Sequence, residues 1–271
     1  MDRGFEGYLY TISFPLLRMN SPSTGLMAHK TVLVTGGSRG IGRALCTVLA
    51  REGADVAFCY AHNEEAAMET VAAIEAHGRR ALAIRADVGD REASAKMVAD
   101  VVDAFGRIDA CVLNAGINRG NLFLRLPDED WDELVRVNIH GLYNVGKPVF
   151  QTMFRQRSGH ILAISSIAGI RTAPAGVPYA VTKAAAIGFI KGIAREGGKL
   201  GIRANAIAVG IVDTDLAGTI PDRFVDFYRD YAALGRTGHP EEVGELAAFL
   251  LSDRNSYMTG EVIVQDGGVV V

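Results

Sequence analysis

Lys30–Arg51 reads KTVLVTGGSRGIGRALCTVLAR, and the reading of this stretch decides the fold. Val32, Leu33 and Val34 form a short apolar run of strand character. TGGSRGIG follows from Thr35 to Gly42, and between Arg43 and Arg51 the residues Leu45, Val48 and Leu49 recur at helical spacing. A strand ending in a glycine turn that opens a helix is the context of a dinucleotide fingerprint. Gly36 permits the tight turn, Gly40 lets backbone approach a pyrophosphate, and Gly42 allows close helix–strand packing. The phosphates then meet the N–H groups at the helix start. The glycines here are spaced G-x-x-x-G-x-G, and an ordinary strand–helix turn satisfies that spacing too.

Outward from this unit, strand-like runs recur at Thr31–Val34, Asp55–Tyr60, Ala81–Ala86, Ala110–Asn114, His160–Ser165, Arg203–Val209 and Val262–Gln265. Helical patterns lie between them at Glu64–His77, Glu92–Phe105, Trp131–Gln156, Tyr179–Lys199 and Pro240–Leu251. Such alternation predicts an α/β fold with right-handed crossovers and helices on both faces of the sheet. The expected architecture is a single doubly wound Rossmann domain with a mainly parallel seven-stranded sheet. Ligands bind such sheets outside the carboxyl ends of the strands, and Gly36, Asp87, Asn114, Ser166 and Gly210 each follow a strand.

A second site lies in SSIAGIRTAPAGVPYAVTK, Ser165–Lys183. Tyr179 and Lys183 are four apart and share a helix face. A free phenol titrates near ~10, and a neighbouring fixed cation lowers that value, which suits proton transfer to a carbonyl oxygen. Y-x-x-x-K alone also arises by chance on surface helices. Paired with the glycine turn, it points to oxidoreduction on a dinucleotide.

The chain has 271 residues, 49% of them hydrophobic, with 28 Lys and Arg against 31 Asp and Glu, a net charge of −3. That balance gives no basic excess for nucleic acid, and no membrane span is read. Cys46, Cys59 and Cys111 show no paired spacing and are expected to be buried free thiols in a reducing cytoplasm, with no metal site. Residues 1–26 are read as a peripheral extension preceding the 27–271 domain, because every motif lies downstream of Met27.

TGGSRGIG, Asp87-Val88, Asn114-Ala115-Gly116, Asn138, Ser166 and Tyr179-x-x-x-Lys183 occur in order, and together they resemble the classical short-chain dehydrogenase/reductase family. The resemblance runs from about Lys30 to the C-terminus. Asn121–Gly141 (NLFLRLPDEDWDELVRVNIHG), Gln156–Gly169 (QRSGHILAISSIAG) and Thr259–Gly268 (TGEVIVQDGG) are most similar to the 3-oxoacyl-[acyl-carrier-protein] reductases. It implies an NADPH-dependent ketoreductase of a 3-ketoacyl thioester, carrier-bound, in fatty-acid or polyketide-type synthesis, working as a cytoplasmic homotetramer. Ser166 would hold the substrate carbonyl, Tyr179 would protonate it, and Lys183 would hold the nicotinamide ribose. Asn138 would kink the active-site helix and hold a water near the lysine.

The family's cofactor positions map onto Gly36, Ser38, Arg39, Gly40, Ile41 and Gly42 of the loop, and onto Asp87 and Val88 beside the adenine. They continue with Asn114, Ala115 and Gly116, then Gly210, Ile211 and Thr214 near the nicotinamide carboxamide. A carboxylate normally ends the second strand and holds the NAD ribose. Tyr60 stands there instead, and Arg39 offers a guanidinium suited to a 2′-phosphate, so NADP is favoured over NAD. One departure is Val209, where the family usually has proline, which restores an N–H and frees φ. Thr214–His239 resembles the substrate lid. Arg157 matches a basic carrier-docking position, and Lys199 neighbours a second one that Leu200 fills; both cations are expected beside the site entrance. The alternatives are an NADPH reductase or dehydrogenase of small free ketones, alcohols or sugars, and a cofactor-binding regulatory or structural subunit.

Overall fold

Among the residues described by the computed structural model (25–119, 123–171, 176–214, 218 and 222–269), strands and helices alternate along the chain. The strands are β1 (Thr31–Val34), β2 (Asp55–Tyr60), β3 (Ala81–Arg85), β4 (Ala110–Leu113), β5 (Gly159–Ser166), β6 (Ile202–Val209) and β7 (Val262–Gln265). The helices are α1 (Gly40–Arg51), α2 (Glu64–Glu75), α3 (Arg91–Phe105), α4 (Asp128–Val135), α5 (Gly141–Gln156), α6 (Val177–Gly197), α7 (Asp222–Tyr231) and α8 (Pro240–Leu251). One sheet holds all seven strands in the order β3-β2-β1-β4-β5-β6-β7. Every pairing is parallel, so the sheet is wholly parallel where the sequence predicted a mainly parallel one. The order reverses between β1 and β4, and that reversal opens a crevice at their carboxyl ends.

A parallel sheet covered on both faces needs strands that are apolar throughout, and β1 and β4 are buried at every position. Alternation sends Val32, Val34, Val56 and Phe58 to one face, under Leu45 and Leu49 of α1 and Leu250 and Leu251 of α8. Leu33, Ala57 and Cys111 face the other way, against Met97 and Val101 of α3, Met153 of α5 and Ile190 of α6. Cys46, Cys59 and Cys111 are free and buried. Burial pushes all three thiols up, Cys59 to about 11, which keeps them unreactive.

Three boundaries differ from the sequence reading. Helix α1 begins at Gly40, because a first turn that faces a loop needs no apolar periodicity. The long helix expected at Trp131–Gln156 is two helices joined by a π-turn at Arg136–His140. Of the extension assigned to 1–26, residues 1–24 lie outside the described residues, but Gly25 and Leu26 belong to the body. The Leu26 N–H donates to Glu52 Oε2 (3.0 Å) and the Met27 N–H to the Glu52 carbonyl (2.9 Å), which ties this segment to the end of α1.

At the opposite edge of the sheet from the crevice, His160 stands second in β5 and Arg203 second in β6. His160 Nδ1 donates to the Leu251 carbonyl, while Arg203 Nη2 donates to His160 Nε2 (2.9 Å) and to the Ser252 carbonyl (3.1 Å). A neutral imidazole satisfies both bonds. Burial first, and then the Arg203 charge, hold its pKa down to about 4. The folded pKa lies below the unfolded value near ~6.5, so the unfolded chain binds the extra proton as pH falls. The stability this group supports is therefore complete above about pH 6.5 and is lost as pH falls toward 4, by about 3 kcal/mol in all. His160→Gln is expected to flatten that part of the curve of melting temperature against pH. An unchanged slope between pH 7 and 4 would remove His160 as its origin.

Candidate active site

The crevice is built first by the glycine turn. Arg39 caps α1 in an extended conformation without a side-chain bond to the helix start, so the first N–H groups are presented to an anion. A Cβ on Gly42 would collide with the Gly36 carbonyl oxygen, so only glycine lets α1 pack this tightly into the turn. The turn is held from both sides. Arg43 donates from Nε (3.1 Å) and Nη2 (2.7 Å) to the Ser38 carbonyl, and it pairs with Glu69 (2.8 Å). Asn114 Nδ2 donates to the carbonyls of Thr35 (2.9 Å) and Gly36 (3.2 Å), and Thr35 Oγ1 accepts from the Asn114 and Ala115 N–H groups. A Cβ on Gly40 would lie 3.3 Å from Thr214 Cγ2, which shows that the loop after β6 arrives at the same crevice. A glycine cradle, open helix N–H groups and the lack of a carboxylate at the end of β2 all fit a dinucleotide's phosphates.

Tyr60 ends β2 nearly buried, and beyond it Ala61 and His62 are exposed. Asn63 accepts from the Ala66 N–H (2.9 Å) to cap α2, whose exposed first turn carries Glu64 and Glu65. Asp87, after β3, is held more firmly than the sequence suggested. Its Oδ1 accepts from the Gly89 N–H (2.8 Å), and its Oδ2 accepts from Arg136 Nη1 (2.8 Å). Arg136 also grips Glu133 with Nε (2.6 Å) and Nη2 (2.9 Å). Val88 is buried, and its carbonyl accepts from Ser94 Oγ (3.2 Å) and Asn144 Nδ2 (3.0 Å).

At the other end of the crevice, the close of β5 meets the start of α6. Ser166 hydrogen-bonds the Tyr179 phenol, and its Oγ accepts from the Ala168 N–H (3.2 Å). Ser165 instead donates to the Lys183 carbonyl (2.9 Å), which leaves Ser166 as the hydroxyl facing the phenol. Lys183 Nζ donates to the Ile164 carbonyl (2.9 Å) and lies 5.6 Å from the Tyr179 ring centroid. Asn138 is buried in the π-turn. Its Oδ1 accepts from the Ile117 N–H (2.8 Å), while its Nδ2 donates to the Ile117 carbonyl (2.9 Å) and Thr182 Oγ1 (3.1 Å). Asn138 thereby clamps the loop after β4 onto the residue preceding Lys183. A Cβ on Gly116 would stand 3.3 Å from Asn138 Oδ1 and 3.7 Å from Lys183 Nζ, so Gly116 closes this corner.

The electrostatics of the pair reverse one expectation. A neighbouring cation was expected to lower the phenol. Burial instead dominates the hydrogen bond from Ser166 and pushes Tyr179 up to about 12, and it pushes Lys183 down to about 8. Both side chains keep an accessible edge, yet their titrating ends lie at the bottom of the site, and those ends set the direction. Tyr179 therefore holds its proton across the neutral range.

Two more assignments change. Both backbone groups of Ile211 are used inside the protein. Its carbonyl accepts from the Gly238 N–H (2.9 Å), and its N–H meets the Tyr228 hydroxyl. Val212 is buried in the core, and its carbonyl accepts from Thr214 Oγ1 (3.3 Å). Arg157 and Lys199 do not reach the entrance of this site. They precede β5 and β6, whereas Ser166 ends β5. Parallel strands start on one edge and finish on the other, and the eight residues of β5 span roughly 26 Å. Ile117, Arg136 and Thr182 escaped the sequence reading because backbone bonds and cross-element contacts leave no spacing signature.

A sequence family described as enoyl-(acyl carrier protein) reductase matches residues 36–270. The chain is 39% identical over 248 residues to 3-oxoacyl-[acyl-carrier-protein] reductase FabG of Chlamydia trachomatis serovar D, covering 91% of this chain and 99% of that protein. A short-chain type dehydrogenase/reductase from Mycobacterium marinum superposes with a TM-score of 0.86 at 31% identity, over 90% of this chain and 96% of that one. Levodione reductase superposes with a TM-score of 0.85 at 31% identity, over 89% and 98%.

Proposed function

Because the chain belongs to the short-chain dehydrogenase/reductase family, we propose that it is an NADPH-dependent ketoreductase converting a 3-ketoacyl thioester to its 3-hydroxyacyl form. The observation that carries this reading is the Tyr179 phenol hydrogen-bonded to Ser166, with Lys183 Nζ 5.6 Å from its ring, where the end of β5 meets the start of α6. Gly36, Ser38, Arg39, Gly40, Ile41 and Gly42 would hold the cofactor's phosphates. Asp87 and Val88 would border its adenine, Asn114–Gly116 and Lys183 its riboses, and the loop carrying Gly210, Ile211 and Thr214 its carboxamide. The cofactor, when bound, supplies a hydride for the carbonyl carbon. Ser166 fixes the carbonyl oxygen, Tyr179 delivers its proton to it, and Lys183 balances the phenolate left behind. Asn138 acts as a positioning residue by fixing Thr182 and Ile117 around that lysine.

NADPH is preferred over NADH because Tyr60 replaces the usual carboxylate and Arg39 stands in the loop. The name of the Chlamydia relative supports a carrier-bound 3-ketoacyl substrate, and the motif resemblance alone is the ground for adding a cytoplasmic homotetramer in fatty-acid or polyketide-type synthesis. A second reading, reduction of small free ketones, is favoured by the cations Arg157 and Lys199 lying on the far edge. The test is kcat/KM for NADPH and NADH with a carrier-bound 3-ketoacyl thioester and with a small thioester mimic. NADPH is expected to win by at least about tenfold, one charge-assisted contact's worth, and Arg39→Ala is expected to narrow the gap. An NADH preference would overturn the cofactor assignment, and equal efficiency on both thioesters would favour the small-ketone reading.

A further inference from the structure

Helix α7 lies in the segment that resembles a substrate lid, and its face is mostly exposed. Phe227 and Tyr231 stack on each other at 5.6 Å on the solvent side. Tyr228 does the opposite. It is 4% exposed and packs with Ile167 and Ala232 against Ile211 and Val269. Its hydroxyl donates to the Asp266 carbonyl (2.7 Å) and accepts from the Ile211 N–H. The notch that receives it is Gly210, where a Cβ would collide with the phenol oxygen. The turn after α7 is anchored to the same place, since the Leu234 N–H donates to the Gly267 carbonyl (3.0 Å). One phenol thus joins three segments: the lid helix, the Gly210–Thr214 loop and the turn after β7.

We propose that Tyr228 is a positioning residue, a clasp that fixes the lid helix and the Gly210–Thr214 loop as one unit and so sets that loop for the nicotinamide end of the cofactor. The bond to the Ile211 N–H holds the Gly210–Ile211 peptide, and through it the register of Thr214 beside Gly40 of the crevice. A tyrosine here couples lid and loop in a way that packing alone would not, because a hydroxyl with both its donor and acceptor roles satisfied has a defined orientation. The inference rests on the cofactor reading above.

Tyr228→Phe keeps the ring and removes only the hydroxyl. Amide hydrogen exchange in the protein without ligand is expected to speed up together at 210–214 and 222–234. Directly measured NADPH affinity is expected to weaken about tenfold, the worth of one buried hydrogen bond. Gly210→Ala, which fills the notch from the loop side, should give the same paired exchange signature if Tyr228→Phe folds poorly. Faster exchange in α7 alone, or a lower melting temperature with unchanged NADPH affinity, would overturn the clasp and leave a packing role. If paired exchange appears but the wild-type protein binds no NADPH, the clasp stands and the cofactor reading fails.

Discussion

Tyr179→Phe is expected to lower kcat for ketone reduction by about a thousandfold, within the range that a positioned general acid supplies. NADPH affinity should remain close to that of the wild type, because the phenyl ring still fills its place beside Ser166 and Lys183. The reason lies in the state of the phenol. Burial holds Tyr179 near 12, so at neutral pH it is a proton donor in waiting and not a phenolate. Removing the hydroxyl leaves Ser166 to orient the carbonyl but nothing to protonate it. A mutant kcat within a few-fold of wild type would exclude Tyr179 as the acid, and a comparable loss of NADPH affinity would recast it as a binding residue.

Lys183→Ala is expected to lower kcat by about a hundredfold and to weaken NADPH binding as well. The pH profile separates this role from simple packing. Burial brings the Lys183 ammonium down to about 8, while Tyr179 keeps its proton well above that. Reduction should therefore run level through the neutral range and fall as pH rises through about 8, where the lysine loses the charge that balances the departing proton. The alkaline fall belongs to the lysine and not to the tyrosine. In Lys183→Ala the residual rate should show no fall near pH 8. A wild-type profile level to pH 10, or the same fall persisting in the mutant, would remove Lys183 from the titration.

The order of the strands, the parallel sheet and the edge that carries the chemistry were legible in the sequence, as were the helices apart from α7 and the break between α4 and α5. Each is written in a local pattern: β-branched runs, helical periodicity, glycines where backbone must pass close, and chemistry-bearing residues that follow strands. The residues Ser166, Tyr179 and Lys183 were legible for the same reason, since two of them share a helix face and the third ends a strand. What the tertiary structure alone decided concerns contacts between distant segments. Whether Tyr179 is lowered by its lysine or raised by its surroundings depends on how deeply β5 and α6 bury the pair, a quantity no spacing encodes. Arg157 looked like an entrance cation until the direction of β5 put it on the far edge. The break at Asn138 became a π-turn because its amide closes on Ile117 and Thr182, residues 21 and 44 positions away. Tyr228 matched no motif in the sequence, and it acquired a role only when Gly210, 18 residues earlier, left room for its hydroxyl. Local pattern determines elements because backbone geometry repeats within them. Burial, register between elements and hydrogen bonds across the fold set the chemistry, and these exist only once the chain has closed.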